Sequence, residues 1–301
     1  MPNTATITGR ELIALDKKVY VPKKMQLNGR NLFNPIDCDP YDEAYGYDVI
    51  ETSGEAQRSG SRNTDTPVGD ETKHRYFTGF TSFEYGIEFT DDELGRARKV
   101  GDTKFTQRKA DHAVRAMLEY ENKVIFNGQP EDYIVGLTEK VDKTGFAQST
   151  PSTKLNDMTP EQMLTYFKQV SHKITDLHFT DQKPRLLITD AVEELLDVPY
   201  NEYNAQTTVE TMLGKYFSRI DAIPEMEAKY TNRDLDMGLV FLNDDETGGI
   251  PYAEKINRIL NEHMHRRTTI KYREKFGGVV IRYLNHVVQL NDLIKSTPAA
   301  D

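Results

Sequence analysis

Between residues 83 and 89 apolar and polar side chains alternate, with Phe83, Tyr85, Ile87 and Phe89 on one side. That period of two predicts a half-buried strand inside the aromatic-rich segment RYFTGFTSFEYGIEFT, residues 75–90. The period then lengthens. Ala110, Ala113, Val114, Met117 and Val124 recur at helical spacing as a buried stripe. Thr90-Asp91-Asp92-Glu93 has the form of a capping box, in which the threonine oxygen takes the third helical amide and the glutamate reaches back. No proline follows until after Asn127-Gly128, where glycine supplies a stop. Gly101 is the one weak helix former, costing about 1 kcal/mol against alanine. The pattern predicts a helix over residues 91–127, and 37 residues make a rod of about 55 Å. An acidic loop and a short apolar plug, Ile134-Val135-Gly136-Leu137, come next.

Before the strand the chain reads differently. Residues 1–50 carry short apolar patches between Pro22, Pro35 and Pro40 without a sustained period, which predicts an extended arm. Residues 51–75 offer only Ala56 and Val68 as apolar side chains. Ordering those 25 residues costs on the order of 25–50 kcal/mol with almost no core to offset it, so the segment is expected to be mobile in a lone subunit.

Beyond a Ser/Thr-rich link at 149–153 helix and strand patterns alternate. Thr159-Pro160-Glu161-Gln162 caps a helix to about Leu177. PRLLIT reads as a buried strand, DAVEELLDV as a helix capped by Asp190 with Glu193, and TVETMLGKYF as a helix capped by Thr207 with Glu210. SRIDAIPEM and MGLVFLND follow as strands, giving a mixed α/β unit of about a hundred residues. The tail RRTTIKYREKFGGVVIRYLNHVVQLNDL reads as a hairpin of long strands turning at Gly277-Gly278. A strand-rich ending after the α/β unit predicts a return to the sheet that carries the long helix, and so a first domain built from discontinuous segments.

Composition narrows the function. At 37% hydrophobic residues the chain can bury a substantial core, and it contains no run of eighteen apolar residues and no secretory n- and h-region at its start. A single cysteine, Cys38, excludes an internal disulfide framework. Forty-eight acidic against 38 basic residues, a net charge of -10, argue against condensation on a phosphate backbone.

The nucleotide-binding glycine motifs, the nucleophile elbow and the HExxH zinc motif are all missing. His263-Met264-His265 is the one close histidine pair, and zinc needs further ligands. The acidic triplets Asp91-Asp92-Glu93 and Asp244-Asp245-Glu246 read as a helix start and a loop. No catalytic residue, metal site or cofactor is predicted. In the apolar-poor loop Glu55, Arg58, Arg62, Asp70, Lys73 and Arg75 mix both signs of charge, and pairing with another subunit is the alternative to plain solvation.

The order of arm, polar loop, aromatic strand, FTDDELGRARKVGDTKFTQRKADHAVRAMLEYENKVIFNG, PEDYIVGLTE, α/β unit and returning FGGVVIRYLNHVVQLNDL resembles the major capsid protein of tailed bacteriophages. That fold is shared with bacterial encapsulins. The resemblance implies an α+β, Hong Kong 97-like fold. Its parts would be an N-terminal arm (1–50), an extended loop (51–89), a peripheral domain (90–153 and 251–301) with a spine helix at 91–127, and an axial domain (154–250). It implies a structural subunit rather than an enzyme, self-assembling through pentamers and hexamers into an icosahedral head. The double-stranded DNA inside would be contacted weakly and non-specifically, with scaffolding, portal and decoration proteins as further partners. The place of action would be the virion, assembled in the host bacterial cytoplasm, without a membrane. The alternative it carries is an encapsulin-type shell around an enzyme cargo.

Overall fold

The computed structural model describes residues 24–54, 68–176, 182–201, 203, 206–231 and 233–294. Its first sheet is ordered β1 (Pro35–Asp37), β9 (Gly248–Met264), β10 (Arg267–Phe276), β4 (Thr81–Thr90), with β11 (Val280–Ile281) also on β9. Strand β4 pairs antiparallel with β10 from Thr81↔Phe276 to Thr90↔Arg267, so the chain does come back to the sheet beside its long helical segment. Among the described residues, strands β2 (Ala44–Ser53) and β3 (Asp70–Gly79) pair only with each other, as a separate two-stranded ribbon.

The second sheet is ordered β5 (Ala147–Ser149), β12 (Val287–Leu290), β8 (Gly238–Phe241), β6 (Arg185–Ile188), β7 (Arg219–Ala222). Strands β6, β8 and β12 are buried at every position, as strands covered on both faces must be. On one face lie helices α4 (Pro160–Thr175), α5 (Asp190–Leu196) and α6 (Val209–Leu213), joined through Phe167, Val170, Ile174, Val192 and Leu213. The other face shares a core with the end of the long helix, where Phe126, Leu187, Leu239 and Phe241 meet. Two further short helices are α3 (Val141–Thr144) and α7 (Ala228–Thr231).

The helix expected over 91–127 is two helices, α1 (Asp91–Val100) and α2 (Phe105–Asn127). Gly101 adopts φ 76°, its amide bonds to Arg98 O, and the Asp102 amide reaches back to Ala97 O at 2.8 Å. That pattern closes a helix in a left-handed cap. Asp102 then opens α2, accepting from the Lys104 amide and from the Arg108 guanidinium. The capping box at Thr90 and Glu93 is formed, and so is the one at Thr159 and Gln162.

Other expectations shift by a residue or more. Helix α5 has Thr189, not Asp190, at its cap position, and the Thr189 hydroxyl donates instead to buried Asp236 at 3.1 Å. Helix α6 is capped by Thr208, whose oxygen accepts from the Thr211 amide, rather than by Thr207. The long hairpin turns at His265-Arg266, not at Gly277-Gly278. Those two residues sit at φ 42° and 68° between β9 and β10, the signs a two-residue hairpin turn needs. Gly277 and Gly278 lie between β10 and β11. A side chain there would press on Pro251 and Gly79 or on Ile134.

Candidate functional site

Three arrangements among the described residues stand out. The first ends α2. A helix leaves its last carbonyls without partners, and here the plug supplies them. The Leu137 amide donates to Ile125 O at 3.1 Å, while the Thr138 amide and hydroxyl both donate to Phe126 O at 2.9 Å. Gly128 turns the chain at φ 73°, and Gly136 packs so closely on it that a Cβ would overlap the Gly128 nitrogen and the Phe126 oxygen. Ile134 and Leu137 are buried in the core shared by both sheets, while Val135 between them faces outward, 41% exposed. Arg233 ties the far side of the plug down, donating to the carbonyls of Thr138 and Glu139 at 3.0 Å.

The second arrangement is a buried polar junction toward the C-terminal end of α2, which nothing in the sequence reading anticipated. The Asn122 side chain accepts from the Gly29 amide at 2.8 Å and donates to Glu225 at 2.6 Å. It thereby joins the N-terminal segment to the turn before α7. Burial pushes the Glu225 carboxyl above its ordinary range, and the bond from Asn122 partly offsets that rise. Beside it, Glu121 accepts from Arg30 at 3.0 Å and from the Tyr252 hydroxyl, and Arg30 also reaches Glu274 at 2.8 Å.

The third is the ribbon. Tyr47 stacks on Tyr76 across the two strands, and its hydroxyl donates to Ile281 O at 3.1 Å. The Arg282 guanidinium donates to the Tyr45 hydroxyl at 2.9 Å. These contacts hold the base of the ribbon. Beyond them the ribbon is exposed, every residue of β3 from Asp70 to Phe77 included. Ile50, Tyr76 and Phe77 are 54%, 50% and 67% exposed. Of the charged residues singled out in the sequence, Arg75 forks onto Asp48 at 2.6 and 3.1 Å and Lys73 joins the same carboxylate at 2.6 Å. Hydrogen bonds from both cations, Arg75 first, hold the Asp48 carboxyl below the usual range. Asp70 caps the strand end, accepting from the Ser53 hydroxyl and the Glu71 amide. Glu55, Arg58 and Arg62 lie outside the described residues.

The segment expected to lack order, 51–75, therefore contributes Glu51 to Ser53 and Asp70 to Arg75 to this ribbon. Two strands pairing only with each other are marginal in water. The exposed apolar side chains mark a surface suited to contact with another molecule.

Elsewhere, His263 pairs with the Thr268 hydroxyl at 2.9 Å, and the Asp244 carboxylate accepts from the Thr247 amide at 2.6 Å. Among the described residues no group of three or more His, Cys, Asp or Glu is placed to hold a metal ion. No helix among them is long and apolar enough to cross a membrane.

A search of the curated proteins finds no sequence match. Solved structures do match in fold. The capsid of Myoviridae phage XM1 superposes with a TM-score of 0.79 at 11% identity, covering 95% of this chain and 99% of that one. A chain of Mycobacterium phage Cain gives 0.65 at 13% identity, covering 98% and 97%. The virus-like particle of Pyrococcus furiosus gives 0.56 at 12%, covering 88% and 95%. The family model described as major capsid protein matches residues 54–292. With that match running from the ribbon through both sheets, the chain belongs to the major capsid protein family and is a structural capsid protein.

Proposed function

We propose that this chain is the subunit of the icosahedral head of a tailed phage, closing around double-stranded DNA, and that it acts by assembly rather than catalysis. The observation that carries this reading is the ribbon. Its apolar side chains Ile50 and Phe77 are uncovered, with Lys73 and Arg75 gathered on Asp48 beside them. Identical subunits close into shells when each interface repeats with a consistent curvature, and a ribbon laid on the next copy is one such interface.

In this reading residues 1–50 form the arm and 51–89 the extended loop. The peripheral domain comprises 90–153 and 251–301, with its spine over 91–127, broken at Gly101. Residues 154–250 form the axial domain, whose sheet is completed by strands at 147–149 and 287–290. Pentamers and hexamers, assembly in the host cytoplasm, and scaffolding, portal and decoration partners belong to the same reading. So does an inter-subunit role for Glu55, Arg58, Arg62, Asp70, Lys73 and Arg75. The net charge of -10 suits a container that must not adhere to its polyanionic content. The greater likeness to the phage capsid than to the virus-like particle, 0.79 against 0.56, supports a genome container over one for an enzyme cargo.

The variant Ile50→Ser/Phe77→Ser tests this. Both side chains face outward on the same side of the ribbon, so the melting temperature of the subunit is expected to stay within the change that about 0.5 kcal/mol per site produces. Closed particles in electron micrographs are expected to disappear. Shells forming with wild-type yield would remove the ribbon from the assembly contacts.

A further inference from the structure

We propose that Glu274 carries a proton when the segment around Arg30 is seated, and that this proton latches the N-terminal segment onto α2 and the β9–β10 hairpin.

The geometry is that of one cation serving two buried carboxyl groups. Glu121 and Glu274 are 1% and 0% exposed. Glu121 accepts hydrogen bonds from Arg30 at 3.0 Å and from the Tyr252 hydroxyl, both on one oxygen, whereas Glu274 faces Arg30 alone, through one oxygen at 2.8 Å. The second oxygens of both carboxyls have no hydrogen-bond partner among the described residues. If both carboxyls were ionised, the pocket would hold an uncompensated negative charge away from water, which is costly. A proton on Glu274 removes it.

The groups that face Glu274 are few. Arg30 comes from the N-terminal segment and Glu121 from α2, where the Tyr252 hydroxyl of β9 also donates to it, and Phe83 of β4 lies cross-strand from Glu274. The neighbours of Glu274 on its own strand, Arg273 and Lys275, point to the opposite side of the sheet. There they meet Glu254 and the carbonyl of Pro40. Burial first, and then the Glu121 charge, push the Glu274 carboxyl up to about 8.

The sign follows from linkage. With the segment lifted and the site wet, the carboxyl returns to its ordinary value of about 4.3. Seating therefore takes up a proton. The latch is at full strength below about pH 4.3, weakens as pH rises through the interval up to about 8, and weakens no further above it.

Hydrogen–deuterium exchange of the full chain, read on the peptide spanning Gly29 to Phe33 and corrected for intrinsic rates, tests the latch. The protection factor is expected to fall by about tenfold per pH unit between pH 6 and 8 and then to level off. In Glu274→Gln, a permanently neutral stand-in for the protonated acid, it is expected to stay flat. A flat wild-type profile, or an unchanged slope in E274Q, overturns the proposal. Should E274Q fail to fold, the infrared band of a buried protonated carboxyl decides on the wild type: it is expected at pH 6 and lost by pH 9.5, and its absence at pH 6 overturns the latch. Neither readout depends on whether the chain forms shells.

Discussion

Gly136→Ala is expected to destabilise the fold by about 4 kcal/mol or more, a loss that single substitutions reach only through severe strain or cavities. The added methyl group would meet backbone, namely the Gly128 nitrogen, the Phe126 oxygen and the Asn127 carbonyl carbon, and none of these can swing aside as a side-chain tip would. To relieve the overlap the plug must lift. Lifting it strips the carbonyls of Ile125 and Phe126 of the Leu137 and Thr138 donors. It also draws Ile134 and Leu137 out of the core, at about 1.5–3 kcal/mol for each side chain. Urea unfolding of the purified subunit measures the change. Val135→Ala, one residue away but 41% exposed, is the control and is expected to cost no more than about 0.5 kcal/mol. Equal midpoints for G136A and wild type would show that the plug is not fixed against the helix end.

Asn122→Leu is expected to cost about 3–5 kcal/mol, because it strands two buried partners at once. The Gly29 amide loses its acceptor and the Glu225 carboxyl loses its donor, each worth about 1–3 kcal/mol when left unsatisfied. The deficit should depend on pH with a definite sign. Burial already raises the Glu225 carboxyl, and the Asn122 bond opposes that rise. Removing the bond lifts it further. A carboxyl raised in the folded state contributes stability at low pH and loses it as pH rises through the folded value. The gap between N122L and wild type should therefore be narrower at pH 5 than at pH 7.5. A pH-independent gap would show that Glu225 is not the group left exposed by the change.

The parts of this fold that were legible in the sequence rest on short-range physics. Two capping boxes, at Thr90 and Thr159, follow from a side chain three residues from its partner and need no tertiary context. The alternation at Phe83 to Phe89 reflects one buried face, and strand β4 has it. The break at Gly101 was visible as a weak residue but not as a stop. One glycine within a helical pattern is tolerated as often as it ends the helix, and the deciding bond, from the Asp102 amide to Ala97, is geometric. The hairpin turn at His265-Arg266 carries neither glycine nor asparagine, whereas Gly277-Gly278 looks like a turn and serves close packing instead.

The polar junction left a trace that could have been followed. Glu121 falls on the buried stripe of α2, four residues after Met117 and three before Val124, and Glu274 shares the period of Tyr272 and Phe276 on β10. A charged residue in phase with a core face signals a buried network. Its partner Arg30, about ninety residues away in sequence, could only come from the fold.

Electron microscopy of the purified recombinant chain tests the central claim most directly. Closed, icosahedral particles are the expected result, with the ribbon of each copy covered by its neighbour. A monodisperse monomer, with the amides of residues 44–53 and 70–79 already protected from exchange in dilute solution, would contradict it.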